Sequence, residues 1–310
     1  MKKFSLKKKF YDIFFKKYHQ KKAYMIGLSH VLNMRNKYSE IETLSDVEYK
    51  IYSQNGEDGI LDYLLKQLDI NKPKFIEIGV GDYSEANTRF IFERASTEGI
   101  IIDCIENLEE LVKKNTQIWR GNLNIINKKV NSENINEILS ENNVLENLDI
   151  FSLDIDGIDY WIINEMPKNF SKIAILEFNP LFGDKLEITV PNKKNFIREE
   201  YHYSNLCFGM SLKAAINIMK KKNFYFIGTN LFRNNAFFIS HDFKKEKFFK
   251  NLKINSLNKY TDFNFLESRD KNQKLNYLNP KKMLNEIINC EVIDLSNEKK
   301  KVKQLKEILT

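Results

Sequence analysis

FYFIGTNLFRNNAFFIS, residues 224–240, decides how the sheet of this protein closes. Two apolar runs, FYFIGT (224–229) and AFFIS (236–240), are joined only by NLFRNN (230–235). Parallel neighbours need a crossover of roughly a dozen residues or more, so these two runs pair antiparallel. Upstream, short apolar runs alternate with helical patterns. Strands are expected at 74–79, 100–104, 124–130, 149–154 and 172–178. Helices are expected at 57–69, 85–96, 106–117, 132–141, from Ile158, and at 209–222. Short apolar strands separated by helices imply a parallel sheet covered on both faces. The expected fold is therefore α/β: a mostly parallel seven-stranded sheet with an antiparallel terminal hairpin.

Composition bounds the class of protein. The chain has 310 residues, 42% hydrophobic and 13% aromatic, enough for a sizeable core and too many apolar residues for global disorder. The net charge of +7 suggests a nucleic-acid partner until it is located. Residues 1–22 hold nine lysines and one acid, Asp12, a sum of +8, so the remaining chain carries 7 − 8 = −1. A neutral body argues against nucleic acid, whose readers usually carry the basic stripe on the folded domain. Cys104, Cys207 and Cys290 are odd in number and widely spaced, with no CxxC pair. They point to a reducing compartment with neither a disulfide frame nor a zinc site. No apolar run approaches the ~18–20 residues of a membrane span, and no signal-peptide pattern opens the chain. A cytoplasmic protein is expected, with peripheral attachment at the inner face of the membrane as the second reading.

That second reading comes from the N-terminus. Phe4, Tyr11, Phe15 and Tyr18 fall at helical spacing among lysines. A basic amphipathic arm, 1–49, is expected either to anchor on anionic lipid or to act as a packing or homo-oligomerisation arm. Residues 50–241 form the expected core domain. Residues 242–310, charged and Asn-rich and ending in KKKVKQLKE (299–307), are expected to be a helical C-terminal extension.

The strand FIEIGVG (75–81) runs into DYSEANT (82–88), expected to start a helix. Ligands of open α/β sheets bind at the carboxyl ends of strands, where glycines admit the ligand and a helix N-terminus can receive a carboxylate. The third glycine of GxGxxG would be residue 84, which is Ser84, so the pyrophosphate fingerprint is incomplete. What remains, Glu77-x-Gly79-x-Gly81, suits a cofactor with an ammonium and no phosphates, Glu77 either organising the loop or receiving the amine. Asp103 ends the second strand 22 residues beyond Gly81 and is placed to accept ribose hydroxyls. A tight structural turn plus an N-cap aspartate is the plainer alternative. Sheets of this type that close with an antiparallel hairpin occur in S-adenosylmethionine (SAM) methyltransferases, whereas dinucleotide dehydrogenases normally end in a parallel strand.

Six blocks then carry a resemblance: YSQNGEDGIL (52–61), FIEIGVGDYSEANT (75–88), IFSLDIDGIDYW (150–161), ILEFNPLFG (175–183), ITVP (188–191) and the GTN…NAFF hairpin. Together they resemble bacterial SAM-dependent methyltransferases often encoded among surface-polysaccharide genes, distantly similar to FkbM-type O-methyltransferases. The resemblance covers roughly residues 50–297. It implies a Rossmann-like SAM methyltransferase fold, cofactor roles for Gly79, Gly81, Asn87 and Asp103, and a place for Gln54 beside the methionine end. Tyr83 departs from the pattern, where a smaller residue is expected, and would narrow the pocket.

The chemical end lies at the next two strand ends. Asp154, with Asp156 and Asp159 beyond it, converges with Glu177 and Asn179, because adjacent parallel strands lie ~5 Å apart. Asp154, Glu177 and Asn179 could ligate Mg²⁺ or another divalent cation. Alternatively Asp154 or Asp156 is a general base or a hydrogen-bond acceptor, with no metal. A loop network around Gly157 is the structural alternative. His202 in EEYHYSN (199–205) is a further candidate base, and Arg198, Tyr201 and Tyr203 could contact an acceptor. The expectation is a SAM-dependent O-methyltransferase acting on a sugar or glycan precursor. Its rivals are a non-enzymatic scaffold in a membrane-associated glycan-assembly complex and an NAD-dependent oxidoreductase.

Overall fold

A computed structural model of the chain describes residues 18, 21–22, 24–95, 97–142, 147–243, 252–253, 267–297 and 300–309. The expected helix over 1–22 falls almost wholly outside the described residues.

A seven-stranded sheet forms the centre: β1 (Lys74–Ile78), β2 (Glu98–Asp103), β3 (Asn122–Asn127), β4 (Ile150–Leu153), β5 (Ile173–Glu177), β7 (Phe224–Thr229) and β8 (Asn235–Ser240). Their order is β3-β2-β1-β4-β5-β8-β7. The first five are parallel; β8 runs antiparallel to both β5 and β7. This is an α/β fold built on a mostly parallel seven-stranded sheet, and the sheet closes with the antiparallel hairpin that its short connection required.

Alternation along each strand divides the core. Ile76, Ile78, Phe151, Leu153, Ala174, Leu176 and Phe238 face one buried cluster. Phe75, Ile150, Ile173, Ile175, Phe237 and Ile239 face the other. The first layer is covered by α5 (Ile135–Glu141), α6 (Asp159–Glu165) and α8 (Leu212–Lys221), the second by α2 (Glu57–Gln67), α3 (Arg89–Ala95) and α4 (Leu108–Asn115). Both faces of the central strands are therefore dry, as their continuous apolar sequences required.

Three local expectations are corrected. The helix expected from Glu85 begins at Arg89, so 82–88 is a loop rather than a first helical turn. Residues 24–35 form helix α1, whose Arg35 binds the buried Asp62 at 2.7 Å, and Leu44 and Val47 lie in the core; the chain ahead of residue 50 thus joins the body well before that boundary. The C-terminal region is not all helical. Helices α9 (Pro280–Glu286) and α10 (Lys306–Leu309) flank β9 (Glu291–Asp294) and β10 (Lys301–Gln304). These strands form a second sheet, β10-β9-β6, with β6 (Ile188–Thr189). Val292 and Leu305 are fully buried in the main core, so burial overrides the helical look of the lysine-rich sequence. Exposed lysines on β10 suit an edge strand, and Lys303 binds Asp294 at 2.6 Å.

Candidate active site

Gly79 leaves β1 with φ +84°, and a Cβ there would lie 1.6 Å from the Asp154 carbonyl oxygen. Only glycine lets the ends of β1 and β4 come this close. Gly81 also has positive φ, but a Cβ on it would meet nothing within 4 Å. It borders a cavity of about 640 Å³, within the usual range for small-molecule sites.

The cavity walls hold Gln54, Glu77, Gly79, Gly81, Asn87, Asp103, Asp154 and Asp156. Residues that reading by strand ends placed together are thus together.

Glu77 is 3% exposed and its carboxylate is committed to the loop. Its Oε1 accepts the Asn87 N–H at 2.8 Å, and its Oε2 accepts the Thr88 N–H at 2.9 Å and the Thr88 hydroxyl at 2.5 Å. Of the two roles open to Glu77, this geometry favours organising the loop. Asn87 meanwhile donates through Nδ2 to the Ser152 hydroxyl at 3.0 Å, tying the loop to β4. Asp103 accepts the Gly81 N–H at 2.7 Å through Oδ2, and those of Cys104 and Ile105 through Oδ1 at 2.6 and 3.1 Å. It therefore fixes the glycine turn while still lining the cavity, and Oδ2 retains acceptor capacity.

Tyr83 does not narrow this space. It adopts φ +58°, is fully buried in the α2–α3 layer, and hydrogen-bonds the Thr88 hydroxyl at 3.0 Å. The left-handed backbone turns its ring away from the cavity.

Gln54 is held by a buried frame. Asp58 Oδ2 accepts the N–H groups of Ile51, Tyr52 and Ser53 at 2.6, 2.7 and 2.9 Å. Burial still raises the Asp58 pKa to about 6. The neighbouring Glu57 Oε1 accepts from Asn230 and Asn235 on the terminal hairpin at 2.7 and 2.9 Å. YSQNGED and GTN…NAFF, far apart in sequence, are one structure at this point.

At the other end, Leu153 pairs with Leu176 in register, so Asp154 and Glu177 leave β4 and β5 side by side. Oxygens of the two carboxyls lie within 4.8 Å of each other, and burial raises both pKa values well above the ordinary range, with the Asp156 charge adding to the rise in each. Glu177 is 7% exposed, and its Oε2 meets no N–H or O–H donor of a described residue. A proton held between the two carboxyls satisfies that oxygen. Asp156, in a left-handed conformation, binds Arg198 across the cavity wall. Arg198 also donates to the Asn205 carbonyl at 2.6 Å and lies over the Phe208 ring. Asp159 holds the intervening loop, accepting from Ile155 and Gly157 at 3.1 and 3.0 Å.

Two expected members stand elsewhere. Asn179 is fully buried: Oδ1 accepts the Leu181 N–H, and Nδ2 donates to the carbonyls of Leu206 and Phe208. Its amide is committed to these backbone groups, and the acidic oxygens that gather at the site come from Asp154, Asp156 and Glu177. Oxygens of Asp154, Asp156 and Glu177 do lie within 4.8 Å of one another, but Asp156 is engaged by Arg198. His202 faces a second cavity of about 550 Å³, with Cys290 and Tyr203, and its Nδ1 pairs with the Ser204 hydroxyl at 2.7 Å. It is not part of the acidic end. Sequence reading did not pick out Lys128, Lys129, Lys194 and Phe196, which line the main cavity. They come from loops beyond strand ends and carry no periodic signal.

No family model matches the sequence. No curated protein matches it either. Among solved structures, the pyocyanin biosynthetic protein PhzM is similar at 12% identity with a TM-score of 0.34, over 57% of this chain and 52% of that one. This chain thus spans about half the length of PhzM. A protein from Galdieria sulphuraria assigned as a sarcosine dimethylglycine methyltransferase is similar at 11% identity with a TM-score of 0.35, over 62% and 72%. Likeness at that level leaves the cavity itself as the basis for a functional reading.

Proposed function

We propose that the protein is a SAM-dependent methyltransferase that methylates a hydroxyl of a sugar or glycan precursor. The observation that carries this reading is one continuous cavity with a glycine cradle and Asp103 at one end and Asp154, backed by Glu177 on the adjacent strand, at the other. The cavity wall fits such a cofactor. Gly81 leaves open space where a side chain would stand, and Asp82, Glu85 and Asp103 surround the loop with carboxylates. That charge opposes a pyrophosphate and suits a ligand bearing ammonium and sulfonium groups. Asp103 would hold the ribose, and Gln54 the methionine end. When bound, SAM supplies an electrophilic methyl group.

The remaining work belongs to the chain. An alcohol is a weak nucleophile at neutral pH and gains from a base at hydrogen-bond reach. Asp154 borders the cavity, and Glu177 behind it can share the proton received. Arg198, held at the wall by Asp156 and Asn205, together with Lys128, Lys129 and Lys194, offers donors for a polyhydroxylated or anionic acceptor. Ile155, Ile158 and Phe196 give this end an apolar lining that limits water.

The test is transfer of labelled methyl from SAM to a panel of sugar nucleotides and glycan fragments, by the wild-type protein and by Asp154→Asn. Transfer by the first and not the second supports the reading. Equal transfer by both removes Asp154 from the chemistry, and modification at nitrogen rather than oxygen would replace the acceptor class.

A further inference from the structure

Arg120 carries its guanidinium between two aromatic rings, 5.1 Å from the centroid of Tyr24 on α1 and 5.1 Å from that of Trp119. The contact joins the 3₁₀ turn Ile118–Arg120 to the start of α1 and creates one surface from two elements. That surface is unusually apolar for its exposure. Trp119 is 77% exposed, Ile26 70%, Leu32 59% and Met25 55%. Single exposed apolar residues need no explanation, but a group of four with a tryptophan among them does.

The pattern along the helix is regular. Val31 is buried, and Tyr24 and Leu28 are partly buried, on the side of α1 that faces the body. Tyr18, Met25 and Leu32 recur every seven residues on another side, about two helical turns apart. Lys22 lies over the Tyr18 ring at 4.8 Å. Nine lysines against one aspartate fill residues 1–22, immediately ahead of this face.

We propose that the face made by Met25, Ile26, Leu32 and Trp119, with the described basic residues Lys21, Lys22 and Arg120, seats the protein on an anionic lipid surface. Each part has the chemistry that such a seat requires. Tryptophan places an apolar body and a polar N–H at the headgroup boundary, and aliphatic side chains enter the acyl region. Lysine and arginine keep their charge at the headgroups while their stems lie along apolar surface. Basic residues beside the surface add electrostatic attraction to acidic leaflets, which salt screens. A second copy is a poorer occupant, because pairing this face would bring two segments of charge +8 together. Nucleic acid would use the lysines and leave the exposed aliphatic residues without a partner. The seat stands on surface features alone and is independent of the enzymatic reading.

The chain contains only two tryptophans, which makes the test direct. Trp161 is partly buried and donates to the Val190 carbonyl at 2.8 Å, so Trp161→Phe leaves Trp119 as the sole reporter. Full-length Trp161→Phe protein is mixed with vesicles of phosphatidylcholine alone or with added phosphatidylglycerol. The expected result is a blue-shifted emission only with the anionic vesicles, weakened in 1 M NaCl. Flotation of the unmodified chain checks the same binding without any substitution. The double variant Met25→Ser, Leu32→Ser is expected to lose about tenfold in vesicle affinity. Unchanged emission together with no flotation overturns the proposal. So does self-association that shifts Trp119 emission in the absence of vesicles, or a shift produced by duplex DNA and not by anionic vesicles.

Discussion

Asp154 and Glu177 face one another from the ends of adjacent parallel strands, with carboxyl oxygens within 4.8 Å, and burial raises both pKa values well above the ordinary range. Two ionised carboxylates at this spacing and depth are mutually destabilising, so the pair holds one proton and titrates as a unit. Asp154 can act as the base only in the form of the pair that leaves its own carboxylate ionised.

Turnover is therefore expected to rise with pH along a limb displaced above the ordinary carboxylate range. Asp156→Asn removes the charge that raises both carboxyls, so the pair should ionise more easily and the limb should move to lower pH. A pH–rate profile of both proteins measures this. An unmoved limb would show that another group controls the rate.

The two cradle glycines should fail in different ways. Gly79→Ala places a methyl group against the Asp154 carbonyl at a positive φ, and stability should fall by several kcal/mol, on the order of 3 or more. Gly81→Ala has room for the methyl group and a milder conformational cost, about 1–2 kcal/mol. Its methyl group enters the cavity, so cofactor affinity should drop about tenfold or more while the fold survives. Thermal melts and calorimetric titration on the same samples separate the two effects.

Much of this site was legible beforehand, for a physical reason. Strand ends in a parallel sheet converge, so Gly79, Asp103 and Asp154 could be placed together from strand boundaries alone. The length of NLFRNN was equally sufficient for the terminal hairpin. Side-chain direction was not available in that way. Asn179 looked like a ligand because its partners, the carbonyls of Leu206 and Phe208, arrive from a loop 27 and 29 residues away. Tyr83 looked like an obstruction because nothing local announced its left-handed backbone. The β6–β9–β10 sheet was missed because β6 has only two residues and its partner lies about a hundred residues later.

Two buried carboxyls outside the acid pair set a pH dependence of stability. Asp58 and Asp159 are raised from 3.8 to about 6, with burial the largest cause in each. The folded protein keeps these protons where the unfolded chain has lost them. Their contribution is complete below about pH 4 and is lost as pH rises through 6, on the order of 3 kcal/mol each. The melting temperature should accordingly fall between pH 4 and 7, and Asp159→Asn should flatten that fall. A wild-type melting temperature that rises over this interval would contradict the assignment.

Divalent metal is the remaining way to neutralise the acidic end. With Asn179 spent on carbonyls and Asp156 on Arg198, the proton-sharing pair is favoured. Activity should survive exhaustive treatment with EDTA. Loss of turnover that Mg²⁺ restores would put a cation where the shared proton has been placed.

The most direct measurement of the central claim is calorimetric titration of the purified full-length protein with SAM and S-adenosylhomocysteine, with NAD as the control. A cavity framed by Gly79, Gly81 and Asp103, and left open by Tyr83, should bind both adenosyl ligands at micromolar concentration and NAD not at all. Binding of NAD, or of none of the three, would contradict it.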